Sequence, residues 1–193
     1  MALSFGVFME LKILSLDISM SNLGMAKAIY DTETQQLTIT ECMTISPVIT
    51  KTKTVRQNSK DIERAKQLFD GLFNPMKDAD IVCAEVPVGS QSARAMCSYG
   101  ISVAILAAVA IIKPNFIEVS PLEVKLTVGS KTASKTDVIK WVVAKHPTAP
   151  LELYRGQINL SKAEHQADAI VAIHAAMKTP LFKQIINLYK DKP

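Results

Sequence analysis

Four side chains far apart in the chain are of the kind that holds hard divalent cations. Asp17 ends the apolar segment LKILSLD, Glu85 ends ADIVCAE, and His165 and Asp168 stand three residues apart in AEHQADAIVAIHAA. Hard cations take oxygen-rich ligand sets, and folding can assemble such a set from separate elements. The spread points toward phosphodiester chemistry, in which a bound divalent ion activates water and offsets charge. Taken singly, none of these residues is decisive. Asp17 reads equally well as an acid bonded to nearby backbone. Glu85 precedes Pro87 after an apolar run, and an acid near a core is costly without a partner. His165 and Asp168 share one helical face, but Glu164, four residues before Asp168, lies on that side too and competes with His165 as a ligand.

The elements that must position these residues are legible as an α/β pattern. Leu11–Asp17 reads as a buried strand, GMAKAIYD as a second and QQLTITECMTI as a third, with Asp31-Thr32-Glu33-Thr34 turning between the last two. Three consecutive antiparallel strands therefore open the fold. The polar, basic stretch SPVITKTKTVRQNSK shows no helical period and reads as a mobile loop, followed by a helix from Asp61. ADIVCAE is a short strand broken at Pro87 and Gly89, and two strands that end in acids can present both at one sheet edge. From Ser92 to Ile112 the pattern is a helix apolar nearly all round, which predicts that both faces are covered, the outer one by a second copy of the chain or by another helix of the same chain. NFIEVS is a further strand, Leu122–Thr127 a short helix, VGSKTAS a loop and Lys135–Lys145 a helix ended by Pro147. An irregular segment runs to Leu160, Ser161 is the expected N-cap of a helix over 162–177, and Pro180 opens a last amphipathic helix. Ala163, Ala167, Ala169 and Ala172 would let the 162–177 helix approach a sheet closely.

Composition bounds the function classes. The 193 residues, 48% of them hydrophobic, suit one domain over 1–193, with 1–10 reading as an N-terminal extension and Met9 as an alternative start. Cys42, Cys83 and Cys97 have neither disulfide nor zinc spacing and fit a reducing cytosol. The opening lacks a signal-peptide pattern, and the apolar run Ile101–Ile112 is short of the roughly 20 residues that span a bilayer, so a soluble protein with no membrane partner is expected. The net charge of +4 neither requires nor excludes a nucleic-acid partner. Lys51, Lys53, Arg56 and Lys60 cluster without an acid, and Lys125, Lys131, Lys135, Lys140 and Lys145 populate the segment between Glu85 and Asp168. Each set is either a solvated face or a phosphate-contacting one.

With these motifs in order, the chain resembles the RuvC family of Holliday-junction resolvases, nucleases of the RNase H-like superfamily. ILSLDISMSNLGMAKA is similar to the family's first strand with its Asp and the Ser and Gly that follow. DIVCAEVP resembles the second catalytic strand, VKLTVGS with ASKTDVIKWV the lysine-bearing segment, and AEHQADAIVAIHAA the terminal acidic helix. The resemblance covers about residues 11–177. It implies an RNase H-like fold, a mixed five-stranded sheet of three antiparallel strands followed by parallel ones, flanked by helices. It also implies Asp17, Glu85 and Asp168 as metal-binding carboxylates, with His165 favoured over Glu164 where many members carry a second Asp. Lys125 and Lys135 match the family's lysines, which contact phosphate and stabilise charge.

The implied activity is resolution of four-way DNA junctions by paired symmetric nicks, leaving 5′-phosphate and 3′-hydroxyl ends. It would use two Mg2+ ions per site, with Mn2+ as a substitute. A homodimer seamed along 92–112 and DNA contacts from Lys51, Lys53, Arg56, Lys60, Lys125, Lys131 and Lys135 are expected with it. The setting is a bacterial cytoplasm or a phage-infected host, with bacteriophage favoured. PVGSQSARAM, after Glu85, lacks the aromatic that some relatives insert among bases. A nuclease of broader taste for branched or forked DNA is therefore the nearest alternative, and a catalytically silent junction-binding protein a second. LDISMSNLG also resembles the phosphate-binding strand of actin-like phosphotransferases, but those usually need two RNase H-like halves.

Overall fold

The computed structural model describes residues 9–49, 52, 54–89 and 91–190. Strand β1 (Glu10–Ile18) pairs antiparallel with β2 (Leu23–Asp31), and β2 with β3 (Leu37–Ile45). β1 also pairs in parallel with β4 (Ile81–Glu85), and β4 with β5 (Phe116–Val119). The sheet order is β3-β2-β1-β4-β5, the mixed five-stranded sheet of three antiparallel strands followed by parallel ones that the resemblance implies.

The period-2 alternation of β1 and β4 divides the core. Leu11, Ile13, Ile81 and Cys83 face one side and pack under α3 (Pro121–Val128), α4 (Lys135–Lys145), α5 (Leu160–Met177) and α6 (Pro180–Lys190). Leu14, Leu16, Val82 and Ala84 face the other, under α1 (Gln57–Asp78) and α2 (Ala93–Ile112). α5 lies across all five strands. Its Ala163, Ala167, Ala169 and Ala172 are completely buried, the close approach expected of that small-residue face. Gly24 marks the tightest point, since a Cβ there would fall 2.2 Å from the carbonyl oxygen of His165.

Several local features differ from the sequence reading. α1 begins at Gln57 rather than Asp61, so Arg56 is its N-cap residue and Lys60 lies in its first turn, with Nζ donating to the Thr52 carbonyl at 2.8 Å. That first turn is almost wholly exposed and carries no apolar residue to announce a helical period. α2 is covered on one face only: Ser102, Ile105, Leu106 and Val109 are buried, whereas Val103 and Ile111 are exposed. Of the two covers expected for its outer face, a helix of the same chain is not found among the described residues, where α1 is the helix that packs on α2. Among the described residues α2 is the one helix long and apolar enough to cross a membrane. It is tied to α1 by Arg94, which donates to both oxygens of buried Asp61 at 2.5 Å and, as the chief cause, holds that carboxyl down at about 2.

The segment before Leu160 is not wholly irregular. β6 (Leu153–Tyr154) and β7 (Gln157–Ile158) form a small antiparallel hairpin. Its two-residue loop, Arg155-Gly156, has φ of 52° and 78°, the paired left-handed turn that matches strand twist. The N-cap of α5 is Asn159, not Ser161. Ser161 donates its hydroxyl hydrogen to the Asn159 side-chain oxygen at 3.0 Å instead of capping backbone.

Candidate active site

The site is built on one transverse row of the sheet. Thr44, Gly24, Asp17, Glu85 and Val119 are successive register partners across β3, β2, β1, β4 and β5. Asp17 and Glu85 are thus side by side near the ends of parallel strands, roughly 4.8 Å apart along the backbone. Both point to the α5 face, because each falls in phase with the core residues two and four positions earlier.

α5 passes over this row and supplies the rest. Where it crosses Gly24, His165 Nδ1 meets Asp17 Oδ2 at 2.8 Å, and this hydrogen bond raises the imidazole pKa. One turn on, Asp168 joins the same cluster. Burial pushes its carboxyl up to about 7, with the charges of Asp17 and Glu164 adding and those of His165 and Lys135 opposing. Burial likewise pushes Glu85 up to about 8, reinforced by Asp17 and Asp168 and opposed by Lys125. Half-buried carboxylates that raise one another's proton affinity form a site short of positive charge.

Lysines flank it. A cleft of about 380 Å³ is lined by Glu85 and Asp168 together with Lys125, Ser134 and Lys135. Both lysine-bearing helices have fixed starts: Ser120 with Glu123 caps α3 and Ser134 with Asp137 caps α4, each as a reciprocal capping box. Lys135 is ion-paired with Glu164, whose hydrogen bond raises the lysine pKa. Glu164 therefore faces α4, while His165 contacts Asp17.

The remaining candidates are dispersed. Arg56 is exposed at the start of α1, and Lys131 is exposed between α3 and α4. Lys51 and Lys53 lie outside the described residues. Lys162 was not among the sequence candidates, yet its ammonium donates to Ser46 Oγ, which in turn donates to the Asn22 side-chain oxygen at 2.7 Å, making a polar lip after β1. Its only sequence signal is its position three residues before His165.

Among the described residues, no three His, Cys, Asp or Glu side chains converge closely enough to enclose an ion as they stand. The donor chemistry nevertheless fits a hard divalent cation: three carboxylates and one imidazole, two of the carboxyls pushed toward protonation by burial and then by neighbouring negative charge.

A five-stranded sheet of antiparallel and parallel strands, flanked by helices on both faces, is also the fold of RuvC-type resolvase structures. Thermus thermophilus RuvC in complex with a Holliday junction substrate superposes with a TM-score of 0.57 at 12% identity, covering 90% of this chain and 96% of that one. The fowlpox virus Holliday junction resolvase gives 0.51 at 17% identity, covering 86% and 97%. Its complex with junction DNA gives 0.50 at 14%, covering 92% and 98%. No protein-family model and no curated protein matches the sequence.

Proposed function

We propose that the protein is a divalent-metal-dependent endonuclease that resolves four-way DNA junctions by paired symmetric nicks, leaving 5′-phosphate and 3′-hydroxyl ends. The observation that carries this reading is the placement of Asp17 beside Glu85 at one end of the parallel strands, with His165 bonded to Asp17 and with Asp168, Lys125 and Lys135 lining the same cleft as Glu85. These four acidic and imidazole residues would hold Mg2+, two ions per site, or Mn2+. When bound, the metal supplies a water of lowered pKa and offsets charge on the phosphate.

The chain's own residues do the positioning. Lys125 and Lys135 hold the scissile phosphate on the open side of the cleft and oppose the charge that grows on it. His165 keeps Asp17 oriented through its Nδ1 hydrogen bond. Pro121 and Val124 give the cleft an apolar wall that limits water. Arg56, Lys60 and Lys131, with Lys51 and Lys53, contact phosphates farther along the arms.

Cutting two strands symmetrically requires two such sites at fixed separation. We assign that role to a homodimer of this RNase H-like domain, closed through the exposed outer face of α2, whose Val103 and Ile111 lie outside the chain's own core. Work on branched DNA in a bacterial or phage-infected cytoplasm follows from the same reading. A broader taste for forked or branched DNA is the second reading, supported by the absence of an aromatic residue from Pro87 to Met96. Comparing cleavage of four-way, three-way, forked and linear DNA separates them: symmetric nicks confined to the four-way form support resolution, and equal cutting of all branched forms supports the alternative.

A further inference from the structure

The β6–β7 hairpin is exposed, hydrogen-bonded at its base and absent from the mechanism above. Tyr154 is 61% exposed, beside Leu153 at 60%, and the guanidinium of Arg155 lies 5.2 Å from the centre of the Tyr154 ring. Leu153 and Tyr154 are adjacent on strand β6, next to the turn, and together they expose apolar and aromatic surface of the kind that marks an interaction site.

Its seating ties it to the site. At its base the Glu152 N–H donates to Gln166 Oε1 at 2.8 Å, and the Asn159 N–H donates to the Glu152 carbonyl at 2.9 Å. Gln166 is completely buried and, through Nε2, donates to Thr44 Oγ1 at 3.2 Å. Thr44 belongs to the same transverse row as Asp17 and Glu85, and Gln166 follows His165 directly. The hairpin is therefore fastened to the helix turn and sheet row that carry the acids. Its Tyr154 is only two residues, roughly 7 Å of strand, beyond that anchor.

We propose that this hairpin is a base-stacking element, in which the Tyr154 ring, with Arg155 beside it, receives an unstacked base at the branch point of the DNA. An aromatic face accepts any base, and a guanidinium adds attraction to both base and phosphate. Glu152 is the one acid at the hairpin's base, and its carboxylate accepts from the Asn159 amide at 3.4 Å. The proposal rests on the branched-DNA reading above and names the residue that would give that site its preference for a branch over plain duplex.

The test uses a four-way junction carrying 2-aminopurine at the branch, and linear duplex of the same sequence, with wild type, Tyr154→Ala and Tyr154→Trp in EDTA to prevent cutting. Circular dichroism confirms that each variant is folded. Wild type is expected to bind the junction more tightly than duplex and to change the probe's emission. Tyr154→Ala is expected to bind the junction about tenfold more weakly with the emission change lost, and Tyr154→Trp to restore both. Junction affinity and emission unchanged in Tyr154→Ala would overturn the hairpin's role while leaving the branched-DNA reading intact. Wild type without any preference for the junction would remove that reading, and the inference with it. A changed sedimentation coefficient of free Tyr154→Ala would instead make the hairpin a self-association element, which also overturns the proposal.

Discussion

Asp168 illustrates how the site trades stability for chemistry. Its carboxyl, pushed up to about 7, shares the space between α5 and the sheet with Asp17 and Glu85, so ionising all three without a cation is unfavourable. The folded pKa lies above the ordinary value, so the folded state binds the extra proton and stability is lost as pH rises from about 4 through 7. At pH 8 in EDTA, Asp168→Asn should therefore melt a few degrees higher than wild type in calorimetry; a lower melting temperature would show that the carboxylate is already well compensated. His165 and Glu164 also separate at this scale. With His165 on Asp17 and Glu164 on Lys135, His165→Ala should lower the cleavage rate more than Glu164→Ala, and the reverse order would move the ligand role to Glu164. The acids were legible in the sequence because each ends an apolar run or sits in a helical pattern. Lys162, Tyr154 and Arg155 were not, because an exposed residue in a polar stretch has no periodicity to mark it.

At the scale of elements, the meeting of α5 with β2 decides whether the site exists. Gly24→Ala places a methyl group against the backbone of His165, which cannot rotate away as a side chain could. The helix must lift, at a cost of about 1–3 kcal/mol, and the His165–Asp17 bond breaks with it. Urea denaturation should show that loss together with greatly reduced cleavage, and an unperturbed Gly24→Ala would mean that α5 sits farther from the sheet. The opposite end of α5 has its own acid weakness. His174 Nε2 and His146 Nε2 are 2.7 Å apart, and Trp141 packs edge-on to His174. Burial, then the charge of His146 and of Lys145 and Lys178, lowers His174 to about 4. The unfolded state binds the proton more readily, so this contribution to stability is complete above about 6.5 and lost as pH falls toward 4. His174→Leu should flatten the fall in melting temperature between pH 7 and 5; equal slopes would show that other groups govern it. The order and type of the five sheet strands and the six helices were readable, since strand alternation and helical spacing leave a pattern in a window of that length. The hairpin and the start of α1 were not, because two-residue strands and an exposed first turn are shorter than the window that detects a period.

At the scale of the molecule, one sheet separates two tasks. The face under α3, α4 and α5 carries the acids and lysines, and the face under α1 and α2 ends in an uncovered apolar helix surface. If α2 closes the dimer, Val103→Glu with Ile111→Glu should convert a dimer to a monomer in sedimentation without unfolding it, because both residues are already exposed in the single chain. A wild-type monomer at cleavage concentrations would contradict that seam. The sequence reading left open whether a second copy or a helix of the same chain covers the outer face of α2, because composition reports how apolar a helix is, not which neighbours cover it.

The most direct measurement is cleavage of an end-labelled four-way junction by wild type, Asp17→Asn, Glu85→Gln and Asp168→Asn in Mg2+, Mn2+ or EDTA, with binding measured in parallel. The account predicts symmetric nicks by wild type in either metal and none in EDTA. Each variant should lose cleavage by several orders of magnitude while still binding the junction. Wild type that binds but never cuts, or a variant of any of the three acids that cuts as well as wild type, would contradict the assignment of this acidic row as a metal-dependent nuclease site.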